Sequence, residues 1–461
     1  MHIHPLHRAG IRPRGFPLAK MGMICLIFLL LPDMAWSRIF IDINAPSIRK
    51  FNIAIPDFNQ VGSDRNRPDL SMELPGIISS DLDFSGFFNP MDKGAFLEEK
   101  GAGQEAGSIQ FKNWSVIGAE LLLKGQYSCV GSQLEVEIRL FDVFWGRQIL
   151  GKRALGDVGG RRHLMHRLSN EIIQQLTGHP GMFLTKIAFV DNSTGNREIY
   201  VADYDGYDSR QVTQDKSIAL FPRWSPDGKY IAYSSYKMGP SLLKKDMGKQ
   251  AGPMLYLKDI DSGKAMLLSS QPGLNTGAAW APNGREIALT LSHKGTPNIF
   301  TIDLQGKILQ QIVQGYGIDV SPAFSPDGSK IAFVSNRSGS PQIYVMDLAT
   351  KREERLTYEG RYNTSPAWSS RNRIAFVSMT GGKFDICAID PDGKGFKRLT
   401  DNTSNSEEPC WSPDGRYIMF TSDRGSGAYH LHLMNANGHN QKRIITSTKG
   451  SQTAPSWGSA E

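Results

Sequence analysis

The sequence predicts a two-domain protein: a small N-terminal α/β domain followed by an all-β six-bladed β-propeller closed by its C-terminal strand. Three observations carry this reading. Aromatic anchors at Trp224, Trp280, Phe324, Trp368, Trp411 and Trp457 recur at spacings of 56, 44, 44, 43 and 46 residues. An isoleucine-led run follows five of them at a near-constant offset, at Ile231, Ile287, Ile331, Ile374 and Ile418. The two series are out of phase, since the run at Ile187 has no anchor before it and Trp457 has no run after it. A period in the forties built of short strands and turns marks a propeller with one four-stranded sheet per blade. Joining tail to head completes the first of six blades and removes exposed sheet edges, which otherwise invite aggregation.

Within the fourth unit, SPAF (321–324) reads as the inner strand and SPDG (325–328) as a turn, with Pro326 presetting φ and Gly328 accepting positive φ. IAFVS (331–335) and IYVMD (343–347) read as the second and third strands, and RLT (355–357) as the outer one. Each third strand ends in Asp or Asn, a residue that hydrogen-bonds the following turn and needs no chemical role. Two units depart from the pattern. The fifth has Ser369-Ser370-Arg371-Asn372 in place of the turn, and the second carries a lysine-rich insertion at 237–252.

The domains expected are a signal peptide over 1–37, an α/β domain over 38–180 and the propeller over 184–461. In the leader, Arg8, Arg12, Arg14 and Lys20 precede an apolar core (21–31) and the small-x-small site Ala35-Trp36-Ser37. That core is too short to span a bilayer, so no membrane insertion is expected. In the α/β domain, FNIAIP (51–56) reads as a buried strand, and 73–88 as a helix that breaks near Gly86. Segments 119–129, 134–143 and 147–153 read as a meander turning at Gly131-Ser132 and Gly146. In 162–176, Leu164, Leu168, Ile172 and Leu176 share a helix face, and Gly178 stops the helix.

Composition and motif searches exclude several function classes. The formal charge of +7 falls to +4 without residues 1–37, too mild for a nucleic-acid binder. Cys25 lies in the leader, and Cys387 and Cys410 occupy strand positions as buried thiols, so no disulfide framework is expected. No Gly-x-Ser-x-Gly elbow occurs, which argues against a hydrolase. His430-x-His432, with His439 nearby, has the donor types a transition metal takes. The repeat register, however, puts His432 at the position of Tyr344 and Tyr256, so both histidines read as scaffold. Asp227, Asp327 and Asp414 fall in turns of separate blades, and the tryptophans read as packing between blades. No catalytic residue, metal or cofactor is therefore expected.

What does not repeat is the set of connections from each outer strand to the next inner strand, at the channel mouth: 217–221, 274–278, 317–320, 362–365, 406–408 and 451–453. Variation on a fixed scaffold suits a binding surface. The lysine-rich insertion projects from the same face.

A cleaved signal, a small α/β domain and six blades carrying W-S-P-D-G, IAF-S, IYVMD and RLT together resemble the TolB family, periplasmic components of the Tol-Pal system. The resemblance implies a monomeric, non-enzymatic periplasmic adaptor. Its partners would be the lipoprotein Pal and the inner-membrane protein TolA, in support of outer-membrane integrity and envelope constriction at division. It further implies a partner-binding surface at Leu274, Asn275, Thr276, Gly277, Asp319, Val320, Asn363, Thr364, Glu407 and Glu408. A switch segment would comprise Arg38, Ile39, Phe40, Ile41, Asp42, Ile43 and Asn44. A secreted propeller lyase or hydrolase, and a ligand-binding sensor, are the alternatives.

Overall fold

The structure is a computed structural model that describes residues 41, 49–62, 67–97, 103, 105–237, 252–315, 317–401 and 403–459. The leader, and the lysine-rich insertion apart from its two end residues, lie outside the described residues.

The N-terminal sheet contains β1 (Phe51–Ala54), β2 (Asn59–Gln60), β3 (Phe88–Pro90), β4 (Leu121–Val130), β5 (Gln133–Asp142) and β6 (Arg147–Asp157). Its order is β3-β1-β4-β5-β6, with β2 also on β4. The meander β4-β5-β6 is antiparallel and turns where Gly131 and Gly146 take positive φ, as their positions in the sequence lead one to expect. β1 pairs in parallel with both β3 and β4. Two helices cover one face, α1 (Leu70–Ser85) and, written here as α2, Arg161–Thr177. Each ends on a left-handed glycine, Gly86 or Gly178. The stripe Leu164, Leu168, Ile172 and Leu176 is buried against the sheet and α1.

The remainder forms six antiparallel four-stranded sheets. In every blade the aromatic anchor lies opposite the isoleucine of the second strand: Trp224 on Ile231, Trp280 on Ile287, Phe324 on Ile331, Trp368 on Ile374 and Trp411 on Ile418. The sixth pair is Trp457 on Ile187, made across the ends of the chain, so the C-terminal strand Gln452–Trp457 closes the ring. The outer strand of the fourth unit runs over Glu353–Arg355, two residues earlier than the sequence suggests. Thr357 lies beyond it because its hydroxyl is engaged: Oγ1 accepts the Ile343 N–H at 2.9 Å and donates to Gln342 at 2.8 Å. Thr213 and Thr400 clasp Ile199 and Ile386 in the same way.

The turns behave as their chemistry dictates. Ser325, Ser225 and Ser412 donate to Asp327, Asp227 and Asp414 at 2.5–2.6 Å. In the irregular fifth unit, Asn372 supplies the positive φ that Gly328 supplies elsewhere and accepts the Trp368 indole N–H at 3.0 Å. Hydrogen bonds from Ser325 and Ser329 hold the Asp327 carboxyl down at about 2. Its folded value lies below the ordinary carboxylate value of about 3.9, so its stabilising contribution is present above that pH and lost as pH falls through about 2. We expect the difference in urea midpoint between the native chain and Asp327→Ala to shrink steadily from pH 5 to pH 2. A difference that stays constant over that range would contradict this account.

The two regions share one core. Leu82, Phe84, Leu168 and Ile172 cluster with Tyr204, Tyr417, Met419 and Trp457 of the first and sixth blades. Phe84 meets the Tyr204 ring edge-on at 4.7 Å, and the Tyr417 hydroxyl donates to the Ser85 carbonyl at 2.6 Å.

Candidate partner-binding face

The inner strands begin at one mouth of the channel with Ala219, Asn275, Asp319, Asn363, Ser406 and Gln452. All six of these residues are buried. Asn275, Asp319 and Asn363, expected at a binding surface, instead turn their side chains inward. Asn275 donates to the carbonyls of Pro253, Gln271 and Gly273 and accepts from Ser269 and Gln271. Asn363 donates to Gln342 and to the Glu359 carbonyl, and Asp319 pairs with Arg337 at 3.0 Å. Side chains buried and bonded to their own chain in this way fix the loops and do not face the rim. The amide and carboxylate types at these positions were legible in the sequence, but their inward direction was not.

The third residue of each inner strand has left-handed φ: Phe221, Gly277, Ser321, Ser365, Glu408 and Ala454, between 50° and 65°. In all six blades the pairing register slips just there, a β-bulge. Only Gly277 takes this conformation without strain. No sequence signal marks the other five, because their residue types do not favour it. The bulge leaves the second residues partly open at the rim, among them Thr276, Val320, Thr364 and Glu407.

Just outside the strands, the residues before them form an apolar crescent over four consecutive blades. Ile218 is 44% exposed, Ile318 45% and Tyr362 37%, and Leu274 is half-buried. The blades of the other two have Asn405 and Ser451 there. Glu407 accepts the Tyr429 hydroxyl at 2.6 Å, and that hydroxyl is pushed well above its ordinary pKa by burial and by this bond. The Glu408 carboxylate accepts the Ala454 N–H at 2.5 Å and is pushed up by burial. Lys237, at the start of the insertion, pairs with Asp215 at 2.8 Å and lies over the Tyr256 ring at 4.1 Å. Of the expected switch segment only Ile41 is among the described residues. It is buried, with its N–H on the Leu176 carbonyl at 2.8 Å.

His432 lies opposite Phe420 as Tyr344 lies opposite Phe333, which is the scaffold register read from the repeat. Its Nδ1 is 3.0 Å from the His430 carbonyl, and burial lowers the pKa of both rings. Cys387 is buried and Cys410 half-buried, and burial pushes both thiols up to about 12, far from reactive thiolates.

Comparison with known proteins agrees with this architecture. The Tol-Pal system protein TolB of Desulfosudis oleivorans is 37% identical over 302 residues, covering 65% of this chain and 66% of that relative. That of Desulfotalea psychrophila is 34% identical over 297 residues, covering 62% and 63%. The chain thus spans just under two thirds of the length of these curated relatives. The crystal structure of TolB from Acinetobacter baumannii superposes with a TM-score of 0.75 at 27% identity, covering 91% of this chain and 99% of that one. Residues 39–149 match the family model of the TolB amino-terminal domain, and residues 173–461 match that of the TolB beta propeller domain. With both models met in order along one chain, the protein belongs to the TolB family.

Proposed function

We propose that this chain works as a non-enzymatic adaptor of the Tol-Pal system, exported to the periplasm and docking the lipoprotein Pal on the channel-mouth face described above. The apolar crescent of Ile218, Leu274, Ile318 and Tyr362 carries the reading. Exposed apolar residues grouped on one rim suit a protein partner, and a rim fixed by buried side chains loses little entropy on binding. Thr276, Gly277, Val320, Thr364 and Glu407 complete the surface, while Asn275, Asp319, Asn363 and Glu408 hold its shape. The histidines and aspartates that first suggest chemistry are occupied by scaffold roles, which favours an adaptor over an enzyme. Among the described residues no helix is long and apolar enough to cross a membrane. Export rests on the leader sequence. Communication with TolA is assigned to residues 38–44, which precede the first domain as a strip able to dock on a partner's sheet edge.

Titration calorimetry with the soluble domain of Pal tests the surface. Replacing Ile218, Ile318 and Tyr362 together by serine is expected to weaken binding by ten-fold or more, as loss of central apolar contacts does. An unchanged isotherm from a folded triple variant would remove the crescent from the interface. Deleting 38–44 is expected to change affinity for TolA, Pal or both, and two unaltered isotherms would dismiss the switch role.

A further inference from the structure

The six inner strands enclose a central channel of about 700 Å³. Their fifth residues, which line it, are Arg223, Ala279, Ala323, Ala367, Cys410 and Ser456. Five are small and uncharged, and one puts a guanidinium into the bore. Among the described residues Arg223 makes a single hydrogen bond, from Nη1 to the carbonyl of its own neighbour Pro222 at 2.9 Å. Among the described residues it has no carboxylate within ion-pairing distance. The acid that shares the channel, Glu408, turns a carboxylate oxygen to the Ala454 N–H instead.

The next residue along the strand, Trp224, also carries an unused donor, on the side of the strand that packs on the neighbouring blade. Trp280 and Trp411 give their indole N–H to the carbonyls of Arg223 and Ala367 in the preceding blades, at 3.1 and 2.9 Å. Trp224, only 8% exposed, has no acceptor for its own among the described residues. Burial lowers the Arg223 pKa and raises that of Glu408, while both side chains keep part of their surface open to the channel. A guanidinium at a level of the channel lined otherwise by small uncharged side chains, with no carboxylate paired to it, offers its free N–H donors to an anion.

We propose that the channel is a binding site for a small oxyanion, a carboxylate or inorganic phosphate, held by the Arg223 guanidinium. The planar fork of arginine matches two oxygens of such a group. Arg223 lies four residues below the mouth, roughly 13 Å at about 3.3 Å per residue. That depth is beyond a side chain of a protein resting on the rim, so the ligand is a free small anion, bound below the rim residues of the proposed partner surface.

The test follows thermal unfolding of the whole chain against sodium acetate and, separately, inorganic phosphate, at ionic strength held constant with sodium chloride. The midpoint is expected to rise and saturate with at least one anion, and the arm that saturates distinguishes carboxylate from phosphate. Arg223→Gln is expected to lower the apparent affinity at least ten-fold, and Glu408→Gln to raise it several-fold by removing the acid in the channel. No saturable response to either anion in the native chain, or equal responses in the native chain and Arg223→Gln, overturns the proposal. Should Arg223→Gln fail to fold, the native chain and Glu408→Gln decide, and coincident curves overturn it.

Discussion

Replacing Trp457 by alanine is expected to lower the unfolding free energy by about 3–5 kcal/mol, the range for truncating a buried large aromatic. Trp457 is 8% exposed, and its indole N–H donates to the Thr185 hydroxyl at 2.8 Å. It belongs to the core shared by the N-terminal helices and the blades, near the Tyr417 ring at 6.5 Å. A domain of ordinary stability has only about 5–15 kcal/mol in hand, so this one change consumes much of it. Removing the whole strand, residues 452–461, goes further. It exposes the edge of Lys186–Asp191 and removes the strand that packs against the sixth and second blades, creating an unpaired edge able to recruit other chains. The expected result is loss of a cooperative urea transition and accumulation of aggregate. A truncated protein that stays monomeric and unfolds at the native midpoint would show that closure is dispensable.

Substituting Asp81 by alanine is expected to cost about 2–6 kcal/mol, since it leaves two buried groups, His166 and Tyr204, without their shared partner at about 1–3 kcal/mol each. Asp81 and His166 are 1% and 3% exposed, and the His166 Nδ1 approaches both carboxylate oxygens, at 3.0 and 2.9 Å. The Tyr204 hydroxyl of the first blade donates to the same carboxylate at 2.5 Å. Burial and that carboxylate hold the phenol well above its ordinary pKa, so it remains a donor. Beyond His166, Arg162 pairs with Asp205 at 2.6 Å and lies over the Tyr207 ring at 4.0 Å. The network therefore ties both N-terminal helices to one turn of the propeller. Calorimetry is expected to show one transition for the native chain and two for Asp81→Ala, as the two regions uncouple. Tyr204→Phe is expected to lose less, because the Asp81–His166 pair survives it. Equal single transitions in all three proteins would contradict the coupling.

The ring was legible because its signal is repetitive: an anchor and an isoleucine facing each other in six blades make one pattern, and the stray halves at Ile187 and Trp457 reveal closure. The two N-terminal helices and the meander were legible from apolar spacing and stop glycines. The parallel strand Phe88–Pro90 and the short helix Phe111–Val116 were not, since three and six residues leave too little periodicity to read. At the mouth, the sequence located the loops but not the direction of their side chains. Asn275 and Asp319 look like surface residues until the carbonyls of the preceding loop and the Arg337 of a nearby turn that engage them are placed, and no residue pattern signals how those loops fold over the side chains. The buried tie between Asp81 and Tyr204 joins residues 123 positions apart, beyond any local pattern.

The six-fold bulge bears on how recognition diverges on this ring. Because the first residue of each inner strand is locked inside and the third is bent by backbone torsion, the second is the strand position at which a change alters the rim without altering the fold. Leu220, Thr276, Val320, Thr364, Glu407 and Thr453 thus act as a six-letter word written on a constant page. Relatives sharing the page can differ in the word, and partner choice can drift by single letters while the propeller stands unchanged.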